Sequence, residues 1–451
     1  MAHQQFYATT KDALMSKINV IGAGLAGSEA SLYLANRGYK VDLYEMKNIK
    51  MSPAHHSKNF AEIVCSNSLK SDDENTASGV LKRELTLLGS NLIDLAYKNR
   101  VPAGQALAVD RDAFSKSVTD LIRKNKNITI HSEEASDFSP DAITIVATGP
   151  LTSEKMCEAL KTKIGDKFLY FYDAASPIVS AESIDMNNAF FGARYNKGDD
   201  DYINCPMDKE EYLKFYNELI NAKSVQLHEF EKNNLFESCM PIEILAKRGV
   251  DAIRFGPLKP VGLINPHKKD KPYAVVQLRK ENKCGTIYNI VGFQTNLTFS
   301  EQKRVFSLIP ALKNAEFLRY GVMHTNNFVN FPKCLDKYSR LNSDNNIFIA
   351  GQLSGVEGYV ESIASGLYCA INAIQMIENK PLITFSADTI IGGLYNYLIN
   401  ANKDNFQPIN ANFGILNPIG IKDKKERYIA FRVRALNEIK NKLCIINQNK
   451  E

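Results

Sequence analysis

The chain has 451 residues, of which 44% are hydrophobic and 23% are charged, and its formal net charge is +5. These values are typical of a soluble globular protein with two or three domains. A charge this small does not by itself indicate a nucleic-acid-binding protein. No run approaches about 18 uninterrupted apolar residues, so we expect no membrane span and a cytoplasmic location. The eight cysteines form no C-x-x-C pair, which argues against a zinc ribbon and a thioredoxin-like redox centre, and we expect no metal.

The first predicted elements are a strand, a glycine-rich turn and a helix. Residues 1–16 are polar and predict a disordered extension, and an apolar strand follows at 17–21. Gly22, Gly24 and Gly27 then fit the pattern G-x-G-x-x-G. In this pattern one glycine allows a tight turn, one lets the backbone approach a pyrophosphate, and one allows close packing of helix on strand.

The next strand supplies the second half of a nucleotide-binding signature. The helix that begins near Leu25 directs its N-terminal amides toward phosphates. A strand at 39–44 ends at Glu45, about 20 residues after the glycines, where a carboxylate accepts the ribose hydroxyls of an adenosine. The sequence therefore predicts a dinucleotide site formed by Gly22, Ala23, Gly24, Leu25, Ala26, Gly27 and Glu45.

The middle of the chain predicts a second crossing of the nucleotide crevice and then an insertion. A polar region at 46–79 precedes predicted helices at 80–97 and 111–124. An apolar strand at 142–146 runs into Thr148 and Gly149, a signature common where flavin-binding chains cross the crevice.

The chain then predicts an insertion and a return to the nucleotide domain. From about 160 to 335 short alternating strands indicate an inserted α+β domain. A buried strand at 346–350 leads into a turn with Gly351 and Gln352, and a helix is predicted from 360 to 373. This second strand–turn–helix unit indicates that a distant segment completes the nucleotide domain.

Two cysteines have neighbours that could favour chemistry. Cys65 ends an apolar run and precedes Ser, Asn and Lys, while Cys239 stands before a proline in a loop followed by Lys247 and Arg248. A thiolate is populated at neutral pH only beside cations or amide donors, which both contexts could supply. A buried structural cysteine is the alternative for each.

Several blocks of the sequence together resemble one family. They are residues 22–30, 52–56, 64–69, 101–104, 108–111, 204–207, 254–263, 292–297 and 355–362. They match, in order, the folate- and FAD-dependent tRNA (uracil-5-)-methyltransferases of bacteria. The chain departs from the family pattern at Ser238, where a glycine is expected, and at Thr325, where an arginine is expected, so that one cation is lost.

The resemblance implies methylation of carbon 5 of a uridine in RNA, at position 54 in the T-loop of tRNA. The implied carbon donor is 5,10-methylenetetrahydrofolate, FAD accepts the carbon and passes it on, and NADH or NADPH is the reductant. It also implies that Cys239 is the nucleophile and that Cys65 lies beside the flavin. The implied FAD contacts add Thr148, Gly149, Gly351 and Gln352 to the glycine segment and Glu45. Lys247, Arg248, Arg254 and Lys259 are candidates for phosphate or folate-glutamate contacts.

The predicted fold is α/β, a Rossmann-like FAD-binding domain of the glutathione-reductase type with an inserted α+β domain. The predicted order is an extension at 1–16, the FAD-binding domain at 17–160 and 336–385, an inserted substrate or RNA domain at 161–335, and a basic helical region at 386–451. That tail could contact phosphates, or it could be a solvated helix face with ion pairs. Three alternatives stay open: a 23S rRNA target, another FAD-dependent oxidoreductase, and a non-catalytic RNA-binding flavoprotein. The oligomeric state and the choice of nicotinamide are also open.

Overall fold

The structure is a computed structural model, and the residues that it describes are 18–52, 54–165, 168–174, 176–196, 201–225, 240–268, 271–282, 284–321, 323–404 and 406–447. The predicted extension at 1–16 and the predicted nucleophile Cys239, with its neighbour Ser238, lie outside these residues.

The described residues form short strands and mostly longer helices. The strands are β1 Ile18–Ile21, β2 Val41–Tyr44, β3 Ser68–Ser71, β4 Arg100–Val101, β5 Ala106–Val109, β6 Ile128–His131, β7 Ile143–Val146, β8 Phe168–Ala174, β9 Ile178–Ser180, β10 Phe190–Phe191, β11 Tyr202–Met207, β12 Ala274–Lys280, β13 Ile287–Ile290, β14 Phe317–Arg319, β15 Met323–Val329, β16 Arg340–Leu341 and β17 Asp344–Ile349. The helices are α1 Leu25–Ala35, α2 Ala77–Leu88, α3 Asn91–Lys98, α4 Arg111–Lys124, α5 Glu154–Ile164, α6 Lys209–Asn221, α7 Ile242–Ala246, α8 Phe299–Phe306, α9 Phe331–Cys334, α10 Tyr359–Ile377, α11 Ile390–Asn400 and α12 Lys424–Asn447.

The first sheet has the strand order β16-β17-β7-β1-β2-β6, and all its pairs are parallel except β16 with β17. All four residues of the central strand β1 are buried, as expected for a strand covered on both faces. Helices α1 and α10 pack closely, since a Cβ on Gly366 would lie 2.1 Å from the carbonyl oxygen of Ala26. The parallel sheet confirms the predicted α/β class. At the carboxyl ends of β1, β7 and β17 the chain runs directly into the glycine-containing turns.

The second sheet is antiparallel and has the order β10-β11-β12-β13-β9-β14. Helices α6, α7 and α8 contribute to its own hydrophobic core, which includes Tyr212, Phe215, Phe293 and Phe306. The chain enters and leaves this region through β8 and β15, which pair with each other antiparallel. An antiparallel sheet with helices lies where the sequence predicts an α+β insertion, while the boundaries at 161 and 335 stay predictions.

Two predicted helices differ from the structure. The predicted helix at 80–97 is two helices, because Gly89 has a left-handed φ of 83° that ends α2 and the Ser90 side chain then accepts the amide of Ile93 to begin α3. The predicted helix at 360–373 is longer and runs over Tyr359–Ile377. Among the described residues this helix is long and apolar enough to cross a membrane, but 89% of that stretch is buried, as in a core helix.

The basic C-terminal region folds against the nucleotide domain. Helix α12 packs on α2, and Phe431, Ala435 and Ile439 of α12 are buried. Arg432 pairs with Glu74 at 2.9 Å, while Lys422 and its lysine neighbours are exposed. The helix therefore has an apolar face in the core and a charged face in solvent.

Candidate active site

The turn after β1 brings backbone amides to the mouth of a cavity. Gly22 has a φ of 98°, and a Cβ there would lie 2.6 Å from the carbonyl oxygen of Ala147, so both its conformation and its space require glycine. A Cβ on Gly27 would lie 1.8 Å from the carbonyl oxygen of Gly22. Gly24, in contrast, would place a Cβ in open space with no atom within 4 Å. A ligand phosphate can therefore approach the backbone closely at Gly24.

The carboxylate of Glu45 is fixed at this turn. One oxygen accepts the amide of Ala23 at 2.9 Å and the other accepts the amide of Lys47 at 2.9 Å. The side chain is buried at the carboxyl end of β2, where ribose hydroxyls would meet it. The two amides pre-orient the carboxylate, so the structure brings Glu45 and the glycine turn together.

A cavity that opens to solvent lies at the carboxyl ends of the parallel strands, with about 1100 Å³ of empty space when its open mouth is included. The predicted cofactor residues that line it are Gly22, Gly24, Leu25, Ala26, Glu45, Thr148, Gly149, Gly351 and Gln352. Two predicted residues do not line it: Ala23 donates its amide to Glu45, and Gly27 packs under Gly22. The cavity also contains a polar atom that needs a partner, because Oε1 of Glu134 is buried without a hydrogen bond from any described residue. The open face of Gly24 and this carboxylate oxygen fit a nucleotide with phosphates and an exocyclic amino group.

Several cavity residues were not among the predicted ligands. Lys47 is buried and lies 3.7 Å from Glu62, and burial lowers its pKa even though Glu45 and Glu62 oppose the shift. His55 Nδ1 lies 2.5 Å from the Ser52 hydroxyl. Tyr359 begins α10 and faces the same cavity. The sequence does show the turn with Gly351 and Gln352 and the helix that follows it. The first residue of that helix, Tyr359, could therefore have been predicted as a further cavity residue.

Cys65 does not line this cavity but contacts it through two neighbours, because it follows Val64 in the chain and hydrogen-bonds to Tyr359. The Cys65 amide donates to the Tyr359 hydroxyl at 2.8 Å, and its carbonyl accepts from Arg111 at 3.3 Å. Burial raises the pKa of Tyr359 well above its ordinary value, so this phenol stays protonated. The sequence suggested Lys70 as the cation near Cys65, but Lys70 pairs with Glu361 at 2.6 Å.

The cations near the Cys65 loop instead come from distant segments. Arg111 of α4 forms an ion pair with the buried Glu281 and also donates to the carbonyl of Ile63 at 2.7 Å. Arg279 of β12 donates to the side chain of Asn67 at 2.9 Å. Asn67 in turn donates to the carbonyls of Val109 and Lys280, so it joins the two halves of the molecule.

Comparison with known proteins identifies the family. A family model described as glucose inhibited division protein A matches residues 17–381. A protein of Fusobacterium nucleatum named methylenetetrahydrofolate–tRNA-(uracil-5-)-methyltransferase TrmFO is 56% identical over 429 residues, which are 95% of this chain and 99% of the relative. This chain is a TrmFO-type member of the glucose inhibited division protein A family. A protein of the same name from Acetivibrio thermocellus is 54% identical over 95% of this chain and 98% of the relative.

A solved structure has the same overall fold as this chain. The GidA protein of Aquifex aeolicus superimposes with a TM-score of 0.69 and 16% sequence identity, over 94% of this chain and 73% of that chain. At this identity the likeness concerns the fold alone. The family predicted from the sequence blocks is confirmed by the relatives.

The four basic residues predicted to contact substrate do not line this cavity. Lys247, Arg248 and Lys259 are exposed on the side of the second sheet. Arg254 is half-buried. Its Nε donates to the backbone carbonyl of Tyr273 at 3.0 Å, and its guanidinium lies over the Tyr273 ring. The structure gives Arg254 a packing role and leaves the other three at the surface.

The residues that flank the Cys239 segment share one anchor. On one side Val225 donates its amide to the carbonyl of Asn296 at 2.9 Å, and on the other Ile242 donates to Gln294 at 2.8 Å. Glu243, at the start of α7, accepts the Asn296 amide at 2.8 Å. The described ends of this segment therefore meet at a single loop of the second sheet. Among the described residues no group of three or more His, Cys, Asp or Glu could hold a metal ion.

Proposed function

We propose that this chain methylates carbon 5 of a uridine in tRNA, with methylenetetrahydrofolate as carbon donor, FAD as the bound carrier and NADH or NADPH as reductant. The observation that carries the proposal is the near full-length identity of 56% to a relative whose name states the folate donor, the tRNA and the uracil-5 position. The T-loop uridine at position 54 is the proposed target. Both named relatives refer to tRNA, so nothing favours the 23S rRNA alternative.

The cavity supports FAD as the bound group. The glycine turn offers amides to a pyrophosphate, Glu45 is placed for ribose hydroxyls, and the amino end of α10 begins at the lining residue Tyr359. The buried Glu134 oxygen could accept a hydrogen bond from an adenine amino group. When bound, FAD would supply the redox chemistry and carry the one-carbon unit, while the protein orients it.

A cysteine is needed because carbon 5 of uracil is a poor nucleophile. When a thiolate adds to carbon 6, the S–C6 bond forms and the electrons of the C5–C6 double bond move toward the carbonyl oxygen at carbon 4. The resulting enolate can attack an electrophilic carbon through carbon 5. We assign this nucleophile to Cys239 and a position beside the flavin to Cys65.

The reaction also requires that the enzyme reach a base in folded RNA. The base must be exposed or flipped out of its stack, and the backbone is held through its phosphates. We assign such contacts to Lys247, Arg248 and Lys259, which are exposed, and only secondarily to Arg254. We place the reaction in the cytoplasm.

One assay tests the proposal. The purified protein should be yellow, and with tRNA, methylenetetrahydrofolate and NADH or NADPH it should form 5-methyluridine, measured by nucleoside mass spectrometry. Cys239→Ala should abolish the product without loss of FAD. Cys284→Ala, which changes an exposed cysteine, is the matched control and should keep full activity. A colourless protein that cannot take up FAD, or full activity in Cys239→Ala, would contradict the assignment.

A further inference from the structure

Among the described residues, one guanidinium outside the nucleotide cavity has buried donors without partners. It belongs to Arg319, the last residue of β14. Its Nε and Nη2 are buried, and neither has a hydrogen-bond partner among the residues that the structure describes. Burial lowers the pKa of Arg319 to about 10, which leaves the group charged at neutral pH. Arg319 as a whole is half-buried, but two buried donors of a cation that lack partners are costly, and a nearby anion would offset that cost.

The negative groups near Arg319 can be taken one by one. Besides burial, the charge of Arg111 lowers the pKa of Arg319, while Glu281, Cys65 and Tyr359 raise it. Glu281 is already bound by Arg111, through both Nε and Nη2 of that guanidinium. Tyr359 stays a neutral phenol because burial raises its pKa. Of these three described groups, the sulfur of Cys65 is the one left to carry the compensating charge.

The other charges around Cys65 point the same way. From α4 comes Arg111, from the end of β12 come Arg279 and Glu281, and from β14 comes Arg319. Within the part of the chain that the structure describes, the carboxylate that acts on all three guanidinium groups is that of Glu281. This excess of positive charge requires an anion at the loop.

We propose that Arg319 is a positioning residue that holds the sulfur of Cys65 in its thiolate form. The inference deepens the proposed function and rests on it for the place of Cys65 beside the flavin. A thiolate, unlike a thiol, can form and break bonds with an electrophilic carbon at neutral pH. Arg319 lies more than 250 positions away in the sequence, on the sheet of the insertion. The reactive state of Cys65 therefore depends on the docking of the second sheet against the first.

Alkylation of the FAD-loaded protein tests the proposal. Iodoacetamide modification of each cysteine is followed by peptide mass spectrometry over a range of pH, and Cys284 is the internal reference because it is exposed. In the wild type, the midpoint pH of Cys65 alkylation should lie below that of Cys284 by about one unit or more, the size of shift that an adjacent opposite charge produces. Arg319→Met should raise the Cys65 midpoint by about one unit or more and leave Cys284 unchanged.

Two variants separate charge from packing. Arg319→Lys keeps a cation and should keep the Cys65 midpoint within a few tenths of a unit, which is small against the shift expected from a lost charge. Arg304→Met removes an exposed arginine of the same domain and should change nothing. FAD content and thermal melting report whether each variant is folded. An unchanged Cys65 midpoint in folded Arg319→Met overturns the inference, and so does a wild-type Cys65 that titrates like Cys284.

These outcomes are independent of methyl transfer. A protein that shows the expected midpoints but forms no 5-methyluridine contradicts the proposed function and leaves the role of Arg319 intact. A protein that forms 5-methyluridine while Arg319→Met leaves the midpoint unchanged contradicts the role of Arg319 alone.

Discussion

Two backbone amides hold the carboxylate of Glu45 in the position where we propose that it accepts the ribose hydroxyls of a nucleotide. In Glu45→Gln the amide keeps one acceptor oxygen but turns an NH₂ group toward the second backbone N–H. A hydrogen bond to a charged group contributes about 1.5–3 kcal/mol, so we expect FAD to bind roughly 10- to 100-fold more weakly. Fluorescence titration of the apoprotein measures this. Asp42→Asn is the control, because Asp42 lies on the same strand but pairs with His131 outside the cavity.

Gly24 and Gly27 should respond to the same substitution in opposite ways. Gly24→Ala adds a Cβ to open space, so we expect the apoprotein to melt like the wild type but to lose FAD, because the methyl group occupies the side from which the phosphates approach. Gly27→Ala places a Cβ 1.8 Å from a backbone oxygen, which must destabilise the fold itself. Thermal melting with and without FAD distinguishes the two effects. Equal melting temperatures of the two apoproteins would contradict this account.

Local residues of the site could be predicted from the sequence, and residues joined across the fold could not. The glycines and Glu45 lie within a strand–turn–helix–strand unit, so their spacing determines their geometry. Arg319 meets the Cys65 loop only through the contact of the two sheets, and Arg111 reaches the loop from α4, 46 positions away. No local spacing carries either contact. Lys70 is close to Cys65 in sequence, but it forms an ion pair with Glu361 instead. Proximity along the chain was therefore misleading for this cation.

At the scale of elements, buried carboxylates join the helices around the first sheet: a glutamate on one helix accepts the amides at the start of another. Glu29 of α1 accepts the amides of Asn91 and Leu92 at the start of α3. Glu84 of α2 accepts those of Ile390 and Ile391 at the start of α11. The break at Gly89 has a use here, because it exposes the amides of the first turn of α3 to Glu29. An apolar periodicity across 80–97 does not show this break, whereas a glycine followed by serine does.

Glu84 should make stability depend on pH in an unusual direction. Burial raises the pKa of Glu84 to about 8 although two amides oppose the shift. Between its ordinary value of 4.5 and about 8 the folded state retains a proton that the unfolded state has lost, so stability falls as pH rises through this window. In Glu84→Gln this dependence is absent. We expect the free energy of unfolding of the wild type, relative to the variant, to fall by more than about 1 kcal/mol from pH 5 to pH 8.

Urea unfolding at both pH values measures this difference. Glu316→Gln changes an exposed carboxyl and should run parallel to the wild type at every pH. Glu29, whose pKa is raised to about 7 by burial, titrates in both proteins and cancels in the comparison. A wild-type advantage that grows with pH would show that the amides at α11 hold Glu84 ionised.

At the scale of the whole molecule, the parts of the proposed site come from both sheets. The nucleotide cavity belongs to the first sheet, the anchors of the Cys239 segment belong to the second, and Asn67 with Arg111 connects them. The parallel sheet could be predicted because its two glycine-rich turns are local. The docking of the insertion could not, because its contacts depend on side chains separated by about 170 to 210 positions.

The C-terminal helix decides whether the basic tail belongs to the folded core. Phe431 is buried between α12 and the rest of the protein and stacks at 5.2 Å on Phe413, whereas Val433, two residues away, is 49% exposed. Because removal of a buried phenylalanine side chain costs about 3–5 kcal/mol, Phe431→Ala should lower the free energy of unfolding by about that amount. Val433→Ala should change it by less than about 0.5 kcal/mol. Urea unfolding of the FAD-loaded proteins measures both. If Phe431→Ala is as stable as Val433→Ala, α12 is not part of the cooperative core. Contact with RNA phosphates would then be the better explanation of its basic residues.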